Sequence, residues 1–244
     1  MPRFFVGTDQ ISDKNIVITG TDVNHIRNVL RMVPGEEVTV SDGQGMDYFC
    51  KIAELTKEEV RLDIIDSWHS FVELPAKIYL FQGLPKADKM ELIIQKCVEL
   101  GVERIVAVST ERAIVKLDKK EGKKLERWQK IAASAAEQSG RGRIPQVLTV
   151  RSFRDAVLRA AESDLALFPY ENERTMSLRT AIGAAEFRTA SIMTGPEGGF
   201  SEDEVSMAAE AGMKICSLGP RILRCETAPL CALSAVMYAA GALD

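Results

Sequence analysis

From residue 77 onward the chain alternates short apolar segments with longer amphipathic ones. No other feature limits the possible folds as strongly. Strand-sized and helix-sized stretches in regular alternation build an α/β domain, a mostly parallel sheet covered by helices. The pattern predicts strands at 77–82, 104–108, 146–150, 164–169, 190–194 and 214–218. It predicts helices at 86–100, 123–139, 153–161, 177–185, 201–211 and 228–240. Gly101 follows the first helix, where a residue tolerant of positive φ suits a C-terminal cap.

Residues 1–72 read differently. Segments 4–6, 16–19, 37–41, 46–53 and 59–65 have strand character, and Asp42-Gly43-Gln44-Gly45 suits a hairpin connection. One short helix interrupts the strands, with Thr21 or Asp22 as its cap and Val23, Ile26, Val29 and Leu30 on one face. Many short strands joined by turn residues predict a small β-barrel. The expected division is a first domain over 1–72 and a second over 73–244, with 67–75 as the connection.

Composition works by exclusion. The formal net charge is −4, which excludes a bulk polyanion binder. The charge is uneven: residues 77–143 hold 15 Lys/Arg against 9 Asp/Glu, whereas residues 1–74 hold 7 against 13. A locally basic stretch can meet phosphates, and an ordinary solvated helix surface explains it equally well. No apolar run approaches a membrane span, and the opening MPRFFVGTDQ lacks the layout of a secretory signal, so a cytoplasmic protein without membrane contact is expected. The five cysteines form no CxxC and have only His25 and His69 for company. No metal site and no disulfide framework is expected, only reduced, mostly buried thiols. Neither GxxxxGK[ST] nor an early GxGxxG is present, which disfavours nucleotide-binding enzymes of those kinds. Ser139 has no GxSxG context, which discounts a hydrolase.

Open α/β sheets bind ligands beyond the carboxyl ends of their strands. Three such loops stand out: Pro169-Tyr170-Glu171, Thr194-Gly195-Pro196-Glu197-Gly198-Gly199-Phe200, and the run from Leu218 to Ala228. Glycines let backbone N–H groups approach a ligand closely. A tight turn into a helix explains the second loop as well, since Ser201 and Glu204 have capping-box spacing. In the third loop, Arg221 and Arg224 suit phosphate or carboxylate binding, with a surface ion pair as the plainer alternative. Thr227 reads first as a helix cap. In the long helix Trp128 lies on an apolar stripe with Leu125, Ile131, Ala132 and Ala135, and suits core or a subunit contact. Elsewhere, Gln82, Lys86, Lys89 and Lys96 surround the first helix of the second region, and Arg27 and Arg31 lie four apart near His25.

Together these segments resemble the RsmE family within the SPOUT superfamily. The likeness runs the whole length: Arg3-Phe4-Phe5, His25 to Arg31, Gln82-Gly83 with Lys86 and Lys89, Glu99 to Val102, Glu137 to Arg141, Gly195 to Phe200, and Leu218 to Ala228. Two positions depart, Ser134 where the family has an acidic residue and Cys225 where it has threonine. The resemblance implies a PUA-like barrel for RNA and a C-terminal SPOUT domain holding S-adenosyl-L-methionine in a deep trefoil knot. It implies methylation of N3 of a uridine in 16S rRNA within the small ribosomal subunit, by a homodimer. The cofactor site it implies comprises Leu167, Phe168, Pro169, Tyr170, Glu171, Thr194, Gly195, Pro196, Glu197, Gly198, Gly199, Ser217, Leu218, Gly219, Arg221, Ile222, Leu223, Thr227 and Ala228. The RNA contacts would be Arg3, Phe5, His25, Arg27, Arg31, Gln82, Lys86, Lys89, Lys96, Arg112, Gln138 and Arg141. Arg224 and Glu226 are the catalytic candidates, with Glu137 behind them. Two other functions stay in view: ribose 2′-O methylation, and a non-catalytic RNA-binding assembly factor.

Overall fold

The computed structural model describes residues 1–115, 121–184 and 186–242. It divides into two compact units, Met1–Glu73 with Ala136–Ile144, and Leu74–Ala135 with Pro145–Asp244. The first unit therefore draws on a distant segment, 136–144, as well as on the N-terminal residues.

The first unit is built on a five-stranded sheet. Its strands are β1 (Arg3–Phe5), β2 (Asn15–Thr19), β3 (Glu37–Ser41), β4 (Met46–Leu55) and β5 (Glu59–His69), ordered β1-β3-β4-β5-β2. β1 pairs parallel with β3 and all other pairs are antiparallel. The expected barrel is thus a half-barrel, because β1 and β2 are edges within this sheet. Register shifts at Phe49/Cys50 and Ile52/Glu54 in β4 supply the curl. The alternating inward residues Ile16, Ile18, Val38, Val40, Cys50, Ile52, Val60 and Leu62 make its core. β5 runs on to His69, into the stretch expected to be linker.

The short helix differs from expectation. Neither Thr21 nor Asp22 caps it: α1 (Thr21–Asn24) starts from Gly20 at φ +78°, a conformation only glycine adopts freely. A π-turn follows over His25–Val29, closed by Leu30 N–H to His25 O at 2.9 Å. The wider turn rotates the later residues off the buried face. Val23 and Ile26 are buried, whereas Val29 and Leu30 point to solvent.

The second unit carries six strands, β6 (Lys77–Gly83), β7 (Arg104–Val108), β8 (Gln146–Val150), β9 (Leu165–Pro169), β10 (Thr189–Thr194) and β11 (Lys214–Cys216). They are ordered β11-β9-β10-β6-β7-β8 and every pair is parallel. Helices α2 (Lys89–Glu99), α3 (Glu121–Gln138), α4 (Phe153–Ala161), α5 (Leu178–Ile182), α6 (Glu202–Glu210) and α7 (Thr227–Ala239) follow strands in alternation. α5 is shorter than the expected 177–185, and Ala185 lies outside the described residues. Ser152, Ser177 and Ser201 cap α4, α5 and α6 through their hydroxyls. Thr227 does not cap α7; Glu226 occupies that position and Thr227 is the first helical residue. Trp128 is buried in α3, and of the cysteines only Cys231 is exposed.

The strand order turns back between β10 and β6, which makes this the topological switch point where open α/β sheets hold ligands. Among the described residues no helix is long and apolar enough to cross a membrane. No group of three or more His, Cys, Asp or Glu among them could hold a metal ion.

Candidate active site

The loops after β9, β10 and β11 enclose one cleft of about 440 Å³ at the carboxyl edge of the parallel sheet. Tyr170 and Glu171 line it from the first loop, Gly195, Pro196, Glu197 and Gly199 from the second, and Ser217 through Arg224 from the third. Pro169, Thr194 and Ala228 complete the sequence-derived part of the lining. Leu167 and Phe168 do not line it; both are fully buried in β9. Gly198, Thr227 and Glu226 are not among its lining residues. Phe200, Pro220 and Cys225 also line the cleft, from within the loops that the sequence nominates, and so does Arg174. Arg174, which lies outside those loops, carries no local signal in the sequence.

Each loop has its own internal support. Glu173 accepts hydrogen bonds from the N–H groups of Thr175 and Met176 and from the Thr175 hydroxyl, which shapes the first loop. These donors hold its carboxyl down at about 2. The second loop turns at Gly199, φ +64°, with Gly199 N–H to Pro196 O at 3.0 Å. Ser201 and Glu204 then form the anticipated reciprocal cap, and the other Glu204 oxygen accepts from Glu111 N–H at 2.8 Å. In the third loop Gly219 has φ +104° and its N–H donates to Ser217 Oγ at 3.2 Å.

Gln82 was expected to touch RNA. It is fully buried instead, and its amide donates to Gly195 O at 3.0 Å while accepting from Thr194 Oγ1 at 2.7 Å. A phosphate cannot reach it; its role is to hold the β10 loop. The adjacent Gly83 permits that approach, since a Cβ there would stand 2.6 Å from Pro196 Cδ and 2.9 Å from Pro196 N.

Other expected RNA contacts divide in the same way. Arg141 is buried against Glu73, Nη2 to Oε2 at 2.5 Å, which corrects its placement on an RNA surface. Arg3 pairs with Asp47 at 2.6 Å and also donates to Arg141 O at 3.2 Å. Lys96 pairs with Glu99 at 2.7 Å along α2. Lys89 pairs with Glu197 at 2.9 Å and lies 3.6 Å from Glu226. Arg27, Arg31, Lys86, Arg112 and Gln138 are exposed. Phe5 and His25 are half-buried, and His25 meets the Phe4 ring edge-on at 6.0 Å between centroids.

Arg224 and Glu226 are separated in environment. Arg224 is exposed and lines the cleft, and among the described residues neither it nor Arg221 has an ion-pair partner. Glu226 accepts from Cys225 Sγ at 3.1 Å, and that hydrogen bond, with Lys89, holds its carboxyl below the usual range. Burial pushes the Cys225 thiol up to about 12, so it is no nucleophile at neutral pH. Glu137 lies in the first unit, where burial and the Asp22 charge raise its pKa against the opposing effect of His25.

A ligand of S-adenosyl methionine's size and chemistry fits this cleft. Small-ligand pockets span ~300–1,000 Å³. Glycine-bordered backbone, the carboxylates of Glu171 and Glu197 and the cations Arg174, Arg221 and Arg224 offer partners for an ammonium, a sulfonium and a carboxylate.

An RNA methyltransferase domain model matches residues 72–237, and an RNA methyltransferase PUA domain model matches residues 18–65. The ribosomal RNA small subunit methyltransferase E of Bacillus subtilis is 41% identical over 98% of this chain and 96% of its own length. Its Synechocystis counterpart is 33% identical over 96% of this chain and 76% of its own length. The crystal structure of a ribosomal RNA small subunit methyltransferase E from Neisseria gonorrhoeae bound to S-adenosyl methionine matches with a TM-score of 0.87 and 36% identity, covering 98% and 97% of the two chains. With a PUA-like half-barrel sheet, an all-parallel α/β sheet and matches of this extent, the chain belongs to the RsmE family of S-adenosylmethionine-dependent small-subunit ribosomal RNA methyltransferases.

Proposed function

We propose that the chain methylates N3 of one uridine in 16S rRNA, working as a homodimer on the small ribosomal subunit. The observation that carries this reading is the convergence of the loops after β9, β10 and β11 on one cleft at the carboxyl edge of the parallel sheet, lined by Arg224, which has no ion-pair partner among the described residues. S-adenosyl methionine, when bound, supplies an activated methyl group on a sulfonium. The protein's task is then mainly positioning. Residues of the loops after β9, β10 and β11 would hold the cofactor, within a trefoil knot of the SPOUT kind; residues 1–72, joined in the first unit by 136–144, would bind RNA, and the rest of 73–244 would form the methyltransferase domain.

Uracil N3 carries a proton at neutral pH and must lose it. Arg224 would stabilise the negative charge that develops on the uracil oxygen. Glu226 would accept the proton, though its depressed pKa makes it a weak base and gives Arg224 the larger share. The exposed Arg27, Arg31, Lys86 and Arg112, with Phe5, His25 and Gln138, are the RNA-facing groups in this reading.

Mapping by reverse transcription tests it. N3 methylation blocks the pairing edge and stops the polymerase at one uridine, whereas a ribose 2′-O methyl leaves that edge free. Read-through at a modified nucleotide would replace this proposal with ribose methylation. Full single-turnover transfer by Glu226→Gln would remove Glu226 as the base.

A further inference from the structure

The side chain of Lys89 meets three groups from two cleft loops. Its ammonium donates to Glu197 Oε1 at 2.9 Å and to Cys225 Sγ at 3.8 Å, and it stands 3.6 Å from Glu226 Oε2. Glu197 belongs to the loop after β10, and Cys225 and Glu226 end the loop before α7. The same Glu197 carboxylate also accepts the backbone N–H of Lys86, at 3.2 and 3.3 Å to its two oxygens. Between Lys86 and Lys89, Ala87 has φ +55°, a region that costs a non-glycine residue about 1–2 kcal/mol. Such strain persists where the surroundings over-determine it. Here the turn aims one backbone N–H and one ammonium at a single carboxylate.

The local charge argues against an RNA contact. One ammonium faces two carboxylates, so the cluster is net negative and repels phosphate. The ammonium already donates to Glu197 and Cys225 and lies within ion-pair range of Glu226. We propose that Lys89 is a positioning residue that ties the loop carrying Glu197 to the loop carrying Glu226, and so fixes the width of the cofactor cleft. The inference rests on S-adenosyl methionine occupying that cleft.

Lys89→Gln and Lys89→Arg test it in the full-length protein, with Glu226→Gln as a second variant should the first fail to fold. Amide hydrogen exchange without ligand reads the tie directly: segments 195–200 and 221–226 exchange faster in Lys89→Gln and recover in Lys89→Arg. Calorimetric titration with S-adenosyl methionine then shows about tenfold weaker binding in Lys89→Gln, with RNA affinity within twofold of the parent. In a Glu197→Gln background the same substitution has a smaller effect, since one end of the tie is already gone. Unchanged exchange in both segments overturns the inference, as does loss of RNA affinity with cofactor binding intact. A parent protein that binds no S-adenosyl methionine overturns the placement of the cofactor, while the exchange measurement still decides the tie.

Discussion

Gln82 and Gly195 are joined across the switch point of the parallel sheet: the Gln82 amide donates to the Gly195 carbonyl at 3.0 Å, and its own carbonyl accepts from Thr194 Oγ1 at 2.7 Å. Both ends of this buried amide are satisfied, and both hold the strand–loop junction from which Glu197 projects. Replacing it with leucine keeps the volume and takes a partner from three polar groups, Thr194 Oγ1, Gly195 O and Gly83 O, at about 1–3 kcal/mol for each one left unsatisfied. Gln82→Leu is therefore expected to unfold at lower urea and to bind S-adenosyl methionine more weakly, while RNA affinity stays close to the parent. Equal cofactor affinity in calorimetry would show that the loop keeps its shape without the amide.

The misplacement of Gln82 illustrates what a linear reading can and cannot see. Helices α4, α6 and α7 were legible because α4 and α6 carry a 3.6-residue periodicity, α6 also its Ser201 cap, and α7 a continuous apolar run of helix length, all written within a few neighbours. The three cleft loops were legible because parallel-sheet ligands sit beyond strand ends, so strand positions alone nominate them. Gln82, Lys89 and Arg141 were not legible. Their partners Gly195, Glu197 and Glu73 lie 113, 108 and 68 residues away. A lone polar residue in a basic stretch reads as solvent-facing until its partner is known. The π-turn at His25–Val29 escaped for a related reason: an apolar spacing fitted to 3.6 residues per turn places Val29 and Leu30 inside, and one wider turn moves them out.

Ala87 offers a test of stored strain. Glycine adopts φ near +55° without the Cβ penalty, but it loses more entropy on folding, so Ala87→Gly is expected to leave stability level or raise it by up to about 1 kcal/mol. Chemical denaturation measures this. A loss of more than about 1 kcal/mol would mean that the alanine conformation carries no strain.

Glu137 predicts a pH signature. Its folded pKa is raised by burial first and by the Asp22 charge second, with His25 opposing. The native state thus binds this proton more tightly than the unfolded chain. Stability falls as pH rises from the unfolded value of 4.5 through the raised folded value, and the cost is fully present above it. Glu137→Gln removes that cost. The variant should melt higher than the parent at pH 8 and equally at pH 4, where about 2–4 °C corresponds to 1 kcal/mol in a chain of this length. A difference that is constant across this range would mean that Glu137 titrates alike in both states.

Arg141 separates a structural cation from a phosphate contact. Its guanidinium is buried against Glu73, and Glu73 also accepts the N–H groups of Gly142 and Arg143 at 3.1 and 3.2 Å. Arg3 reaches the same segment, bonding Arg141 O and Asp47, and Ser41 Oγ donates to Gly142 O at 3.0 Å. The 136–144 segment is thereby fastened within the first unit by the Arg141–Glu73 ion pair and by hydrogen bonds to its backbone. Removing the cation leaves Glu73 facing no counter-charge from it, which costs up to ~3–5 kcal/mol for a fully buried pair and less here, since Glu73 keeps some solvent contact. Arg141→Met is expected to destabilise the fold by about 2 kcal/mol or more, and Glu73→Gln to do so in the same direction. A phosphate contact has a different signature, because each one lost flattens the dependence of log K on log salt by ~0.7–0.9. RNA titrations from low to moderate salt should give the same slope for Arg141→Met and the parent. A flatter slope with unchanged stability would return Arg141 to the RNA surface and leave Glu73 as its incidental neighbour.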